Sequence, residues 1–210
     1  MSSIETTATR NVGIFIFPIV EILDFAGPYE VFTTASRMAL REVPDRAPPF
    51  NVFTVAASLA PVHARADFAA LPRYDFSNHP SIDVLIVPGG VVDAEVANPE
   101  VIAWIKNVSQ HAQMVASVCT GAFMLAEAGL LDGLTVTTHW EDLEPLAGQY
   151  PNLNVVGGQR WVDQGDIVTS GGISAGIDMS LHLVERLAGR ALALRTAKQM
   201  EFDWTTNQMK

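Results

Sequence analysis

The chain has 210 residues, 49% of them apolar and 17% charged, a composition suited to one large, well-buried α/β domain and marginal for two. Its formal charge of −10, from 13 basic and 23 acidic residues with no Lys/Arg cluster, argues against nucleic-acid binding, which needs a basic footprint. No apolar run reaches the roughly 18–20 residues of a membrane span, and one cysteine excludes an intrachain disulfide framework. The expected setting is the cytoplasm, with neither membrane nor nucleic acid as partner.

Residues 1–10, MSSIETTATR, are polar and lack an apolar signal core, so they read as a disordered tail preceding one domain over 11–210. The near-continuous apolar run NVGIFIF (11–17) predicts a central parallel strand that Pro18 stops. A loop then leads to Asp24–Phe25–Ala26–Gly27–Pro28 and a helix to about residue 41. Asp24 falls near the end of the first strand, where open α/β sheets collect ligands; it reads either as a helix N-cap or as a catalytic acid. After a Pro-rich loop over 44–49, NVFTVA (51–56) predicts the second strand, and 58–74 predicts short strands with an irregular connection. IDVLIV (82–87) is another buried strand, ending in Pro88–Gly89–Gly90. Those glycines are either a plain turn or a place where backbone N–H groups approach a ligand. Asn98–Pro99–Glu100 has the chemistry of an N-cap and first helical turn, opening a helix to about residue 112.

The next stretch, MVASVCTGA (114–122), predicts a buried strand, then Cys119–Thr120–Gly121, then a helix. A nucleophile at a sharp strand-to-helix turn is the elbow arrangement of α/β hydrolases, here with Cys in place of Ser. The alternative is core filler, because free cysteines are commonly buried. As a nucleophile the thiol would need a pKa lowered below about 8.5, which a helix N-terminus favours. Beyond it come a turn at 129–133, a strand over 134–137, a helix opening at Thr138–His139–Trp140 and running to about residue 150, and short strands near 155–156 and 160–168. The glycine-rich run 170–176 leads into a helix to about 187, and a last helix covers roughly 190–203. This alternation predicts a doubly wound, mostly parallel sheet sandwiched by helices, flavodoxin-like in class.

Asp24, the Gly89–Gly90 turn and Cys119 with Thr120 all fall at carboxyl ends of strands, so together they form a candidate site: a thiol, an acid, and backbone donors from Gly90, Val91 and Thr120 for an anion. His139 is a candidate base, a helix-start residue or a core imidazole. His63, His79, His111 and His182 share no ligand spacing with one another or with Cys119, so no metal is expected. Neither glycine stretch is a GxGxxG or Walker loop, and no cofactor is expected.

Taken jointly, Phe17–Pro18 with Leu23–Asp24–Phe25–Ala26–Gly27–Pro28, the strand ending in Gly89–Gly90, Ser117–Val118–Cys119–Thr120–Gly121–Ala122, Gly129–Leu130–Leu131–Asp132–Gly133, Thr137–Thr138–His139–Trp140 and Gly171–Gly172–Ile173–Ser174–Ala175–Gly176–Ile177–Asp178 resemble the ThiJ/PfpI superfamily. The resemblance covers residues 12–203 and implies the class I glutamine amidotransferase-like fold. Within the superfamily, Asp–x–x–Gly–Pro with Cys–Thr–Gly resembles the isocyanide hydratase branch, a group of lyases. The same segments are similar to the amidase-like sensor domains of AraC-type regulators. The chain ends at Lys210 without a helix-turn-helix module, which makes a self-sufficient regulator unexpected.

The resemblance implies that Cys119 attacks the terminal carbon of an isocyanide, Asp24 protonates that carbon and later activates water on a thioimidate, and an N-substituted formamide leaves. Thr120 would donate to the site, with Gly90 and Val91 nearby. Gly89, Phe25, His139, Trp140 and Ile173 are expected to line the substrate pocket. Peptidase and glyoxalase-like members usually carry His after the nucleophile and Glu near the first strand; Thr120 and Asp24 stand there instead and disfavour those activities. The alternatives are another small-molecule activity, such as an amidase, and a non-catalytic redox or ligand sensor. The resemblance also implies a homodimer.

Overall fold

The computed structural model describes residues 8–205 and residue 207. In chain order the elements are β1 (Arg10–Phe15), α1 (Ile22–Glu42), β2 (Phe50–Ala56), β3 (Val62–His63), β4 (Ala69–Ala70), β5 (Tyr74–Asp75), β6 (Val84–Val87), α2 (Asp93–Val96), α3 (Pro99–Ser109), β7 (Met114–Val118) and α4 (Gly121–Glu127). There follow β8 (Thr135–Val136), α5 (Leu143–Gln149), β9 (Asn154–Val155), β10 (Trp161–Asp163), β11 (Ile167–Ser170), α6 (Ala175–Ala188) and α7 (Arg190–Gln199).

Seven strands form the main sheet in the order β10-β11-β7-β6-β1-β2-β5. All neighbours are parallel except β10, which returns antiparallel on β11. The central strands β6 and β7 are buried at every position, as continuous apolar runs require when helices cover both faces. Helices α1, α6 and α7 pack together, and α2, α3 and α4 form a second packed group. The chain starts at β1, winds outward through β2 and β5, then returns to the other side of β1 at β6. The order therefore reverses between β1 and β6, and the crevice at such a reversal is where open α/β sheets hold ligands. The segments after β1, β6 and β7 meet there.

The doubly wound, mostly parallel class is the one expected from the alternation of elements. Details differ. Residues 1–7 of the expected tail lie outside the described residues, and Arg10 already stands in β1. Helix α1 begins at Ile22, so Asp24 is in its first turn and Pro28 lies inside it. Pro28, the seventh residue of α1, has no N–H to give the Asp24 carbonyl, and the helix nonetheless continues for about four turns beyond it. The strand expected over 134–137 is β8, which pairs with β9 in a separate two-stranded sheet. The helix expected from Thr138 starts as a 3-10 turn, Trp140–Asp142, before α5. The last helix stops at Gln199. Asn98 caps α3 as its sequence requires, its side chain accepting the Glu100 N–H.

Candidate active site

Strand β7 delivers Cys119 to the turn before α4 with φ = 57°, left-handed backbone in a non-glycine residue. Such strain costs on the order of 1–3 kcal/mol and persists only where the surroundings enforce it. Here they do. The Cys119 N–H is shared between the carbonyls of Ser170 (3.2 Å) and Gly171 (3.3 Å), and its carbonyl accepts the Thr138 hydroxyl at 2.8 Å. Gly121 must be glycine, since a Cβ there would collide with the Val87 carbonyl oxygen. The turn has the strand–turn–helix elbow geometry that the sequence predicts, with Cys119 at its apex.

Asp24 reaches the same point from α1. It is not the N-cap: Glu21 is, without a side-chain cap bond. The Asp24 side chain is fully buried; Oδ2 accepts the Gly89 N–H and Oδ1 the Ile173 N–H, both at 3.1 Å. Among the described residues it has no ion-pair partner, so burial pushes its pKa up to about 7. The Gly89 bond opposes that rise, Glu21's charge adds to it, and the Ile173 N–H and the Cys119 thiol pull it back.

The thiol departs from the expected lowering. Burial first, then the Asp24 charge, push Cys119 up to about 12, against the smaller pull of the Thr120 N–H and hydroxyl. The seven-residue α4 does not offset the loss of water around sulfur. The Asp24 charge disfavours ionisation of the thiol, whereas the thiol's hydrogen bond favours ionisation of Asp24; with Asp24 at about 7 and Cys119 at about 12, the pair holds one proton over a wide range above pH 7.

The remaining candidates divide. The Thr120 hydroxyl accepts the Gly90 N–H and donates to the Gly90 carbonyl, both at 2.9 Å, pinning the β6 turn to the elbow. The Val91 N–H goes to the Ile19 carbonyl at 3.3 Å. The Gly90 and Val91 donors expected for an anion are therefore spent within the fold, and the Gly89 N–H serves Asp24. Phe25 is buried in the same core cluster as Cys119. Ile173 supplies its N–H to Asp24 from left-handed backbone (φ = 54°) and leaves its side chain partly exposed. Trp140 is 65% exposed, its ring beside that of His139 at 5.7 Å.

His139 borders the same glycine as the Cys119 sulfur. A side chain on Gly172 would strike His139 Cδ2 and come within 3.3 Å of Cys119 Sγ, so ring and thiol face the same point across that glycine. His139 Nδ1 accepts the Glu141 N–H at 3.4 Å and lies 3.3 Å from the Asp142 carboxylate, the local bonding of a helix-start residue. Among the described residues no group of three or more His, Cys, Asp or Glu is arranged to hold a metal, and no helix is long and apolar enough to cross a membrane.

Two supports were not legible beforehand. Thr138 holds the Cys119 carbonyl. Arg160 clamps the turn that carries Ile173: its carbonyl accepts the Gly171 N–H (2.9 Å), and its guanidinium bonds Ser174 (3.2 Å) and buried Asp178 (2.5 Å). The only signal for this was an arginine placed before a glycine-rich run that ends in aspartate.

The DJ-1/PfpI family model matches residues 10–186. The chain belongs to the DJ-1/PfpI family. Its curated family relatives include the isonitrile hydratase of Pseudomonas putida, 36% identical over 195 residues, which are 91% of this chain and 78% of that one. The HTH-type transcriptional regulator CdhR of Pseudomonas aeruginosa is 33% identical over 117 residues, 56% of this chain but only 34% of the regulator. Among solved DJ-1/PfpI structures, a ThiJ/PfpI family protein from Pseudomonas syringae superposes with a TM-score of 0.82 at 26% identity, covering 98% of this chain and 80% of that one. Drosophila melanogaster DJ-1beta superposes at 0.77 with 20% identity, over 93% and 99%.

Proposed function

We propose that the chain is a cysteine-dependent hydratase that converts an isocyanide into an N-substituted formamide. The observation that carries this reading is the pairing of a fully buried, cation-free Asp24 carboxyl with the Cys119 thiol at the elbow. The similarity to a relative named isonitrile hydratase supports it.

An isocyanide R–N≡C accepts both a nucleophile and a proton at its terminal carbon. The reactive form of the pair carries one proton, with sulfur as thiolate and Asp24 as acid. Sulfur bonds to the carbon while Asp24 delivers its proton to the same carbon, giving Cys119–S–CH=N–R. The Asp24 carboxylate then takes a proton from water as the hydroxyl adds to that carbon, and passes this proton to the nitrogen. Collapse of the adduct forms the C=O bond, breaks the C–S bond and returns a proton to the pair, releasing R–NH–CHO. No amine leaves, so no general acid is needed at nitrogen for C–N cleavage. A carboxyl with a pKa near 7 suits a group that must give and retake a proton near neutrality. Gly89 and Ile173 N–H groups orient the carboxylate, and Thr120 ties the elbow to the β6 turn.

The expected homodimer and cytoplasmic setting belong to the same reading; sedimentation of the purified protein checks the first. The regulator relatives favour a second reading, a ligand or redox sensor in which the pair turns nothing over. Incubation with an aryl isocyanide, following formamide, separates the two. Turnover by the native protein that is lost in Cys119→Ala supports the hydratase. No turnover by folded protein with a reduced thiol would overturn it.

A further inference from the structure

Beside the elbow lies a cleft of about 570 Å³ that borders Thr120 and Gly90 and is lined in part by Val92, Val96 and Phe123. Val92 and Phe123 are largely buried, so the cleft has an apolar floor rather than a solvated one. Three carboxylates stand in its wall, Asp93, Glu127 and Asp142, and no Lys, Arg or His is among its lining residues. Thr120 in the cleft wall directly follows Cys119, and Asp142 lies 3.3 Å from His139, which borders Gly172 together with the Cys119 sulfur, so the cleft lies beside the residue that carries the thiol.

The reacting end of an isocyanide is a linear N≡C group, and everything that distinguishes one isocyanide from another is carried on nitrogen. That substituent must project away from Cys119 into open volume, and this cleft is open volume next to the neighbouring residue. We infer that the cleft is the substituent pocket and that it selects a substituent with an apolar body ending in a cationic group, such as an ammonium, over one ending in a carboxylate. This assignment rests on the hydratase reading for its substrate.

The apolar floor takes the body of the substituent by burial, a term indifferent to charge. The carboxylates set the sign. Glu127 accepts the Tyr150 hydroxyl at 2.8 Å, a neutral partner. Asp93 opens α2, where no cation pairs with it among the described ion pairs. A cationic end in the cleft meets acceptors and favourable potential, whereas a carboxylate meets three like charges and no donor side chain of opposite sign. The carboxylates are partly exposed, so each contributes modestly and is screened by salt.

The test compares kcat/KM for three isocyanides of matched size, ending in trimethylammonium, in tert-butyl and in carboxylate. The expected order is ammonium over neutral over carboxylate, with about tenfold between the extremes at low salt, shrinking as salt is added. Asp93→Asn and Glu127→Gln should each narrow the ammonium-to-carboxylate ratio by about two- to fivefold. Equal rates for ammonium and carboxylate substrates, or a ratio unmoved by both substitutions, would overturn the assignment while leaving the hydratase intact. Calorimetry with benzyltrimethylammonium and with phenylacetate reads the cleft without turnover. If no isocyanide reacts but the ammonium ion binds and the Asp93→Asn, Glu127→Gln double variant loses it, the hydratase reading fails and the cation preference of the cleft stands. If neither ion binds and no isocyanide reacts, both fail.

Discussion

Two aspartates, Asp24 and Asp178, are completely buried in the first turns of their helices, and burial raises the pKa of both. Their surroundings are otherwise opposite. Asp178 meets the Arg160 guanidinium at 2.5 Å and the Thr205 N–H at 3.3 Å, so its charge is compensated and its position fixed. Asp24 meets two backbone N–H groups and a thiol, none carrying positive charge. A buried carboxylate with a cation is an anchor, since removing either partner strands a charge. A buried carboxyl without one keeps its proton near neutrality and can hand it to a neighbour. The two are linked through the turn at Gly171–Ser174: Arg160 holds that turn, and the turn gives Asp24 the Ile173 N–H.

The contrast predicts what each substitution does. Cys119→Ala should abolish formamide production, measured against a simple aryl isocyanide, because no other thiol exists in the chain. Asp24→Asn should lower kcat by about 10²–10⁴, since an amide cannot exchange the proton, while stability falls by about 1–3 kcal/mol, because the amide NH2 replaces one of the two oxygens that accept the Gly89 and Ile173 N–H groups; a larger fall in Tm with activity per folded molecule intact would make Asp24 an anchor after all. Asp178→Asn should do the reverse. Stranding Arg160 should cost about 3–5 kcal/mol in a denaturant titration, with kcat per folded molecule falling far less than in Asp24→Asn.

Stability against pH sharpens the same contrast. The folded pKa of Asp24, about 7, lies above its unfolded value of 3.8. The folded state therefore binds the extra proton between those values, so this contribution is complete below about pH 4 and is lost as pH rises through about 7. The shift corresponds to at most about 4 kcal/mol. Subtracting the denaturation profile of Asp24→Asn from that of the native protein should isolate a decline with that sign; an increase across the same window would contradict the burial argument. The smallest effect expected is that of Thr120→Val, which removes both Gly90 hydrogen bonds and should cost about 1–3 kcal/mol of stability, read from the denaturation midpoint.

Much of this was legible in the order of residues. The apolar runs of β1, β6 and β7 need no tertiary information, and neither do the Asn98 cap or the Cys–Thr–Gly turn. What stayed hidden is non-local. Whether Asp24 caps its helix or faces the thiol depends on a backbone N–H 149 residues away, at Ile173. The Gly90 and Val91 N–H groups looked free because their acceptors, the Thr120 hydroxyl and the Ile19 carbonyl, lie on other segments. The thiol pKa is non-local for a similar reason: a helix N-terminus shows in sequence, whereas the depth of burial and the Asp24 charge arriving from α1 do not. Phe25 follows Asp24 on α1, where successive residues point about 100° apart, and its side chain joins the core cluster that also contains Cys119.

The most direct test of the shared proton is the pH dependence of kcat/KM for isocyanide hydration by the native protein beside Asp24→Asn. With both groups protonated there is no nucleophile, so the native rate should rise with pH through about 7, the pKa of Asp24, and level off above it. Asp24→Asn should be slow and lack that rise. A native rate that climbs only in strongly alkaline solution, as the thiol ionises alone, or a variant that keeps the native profile, would contradict the account.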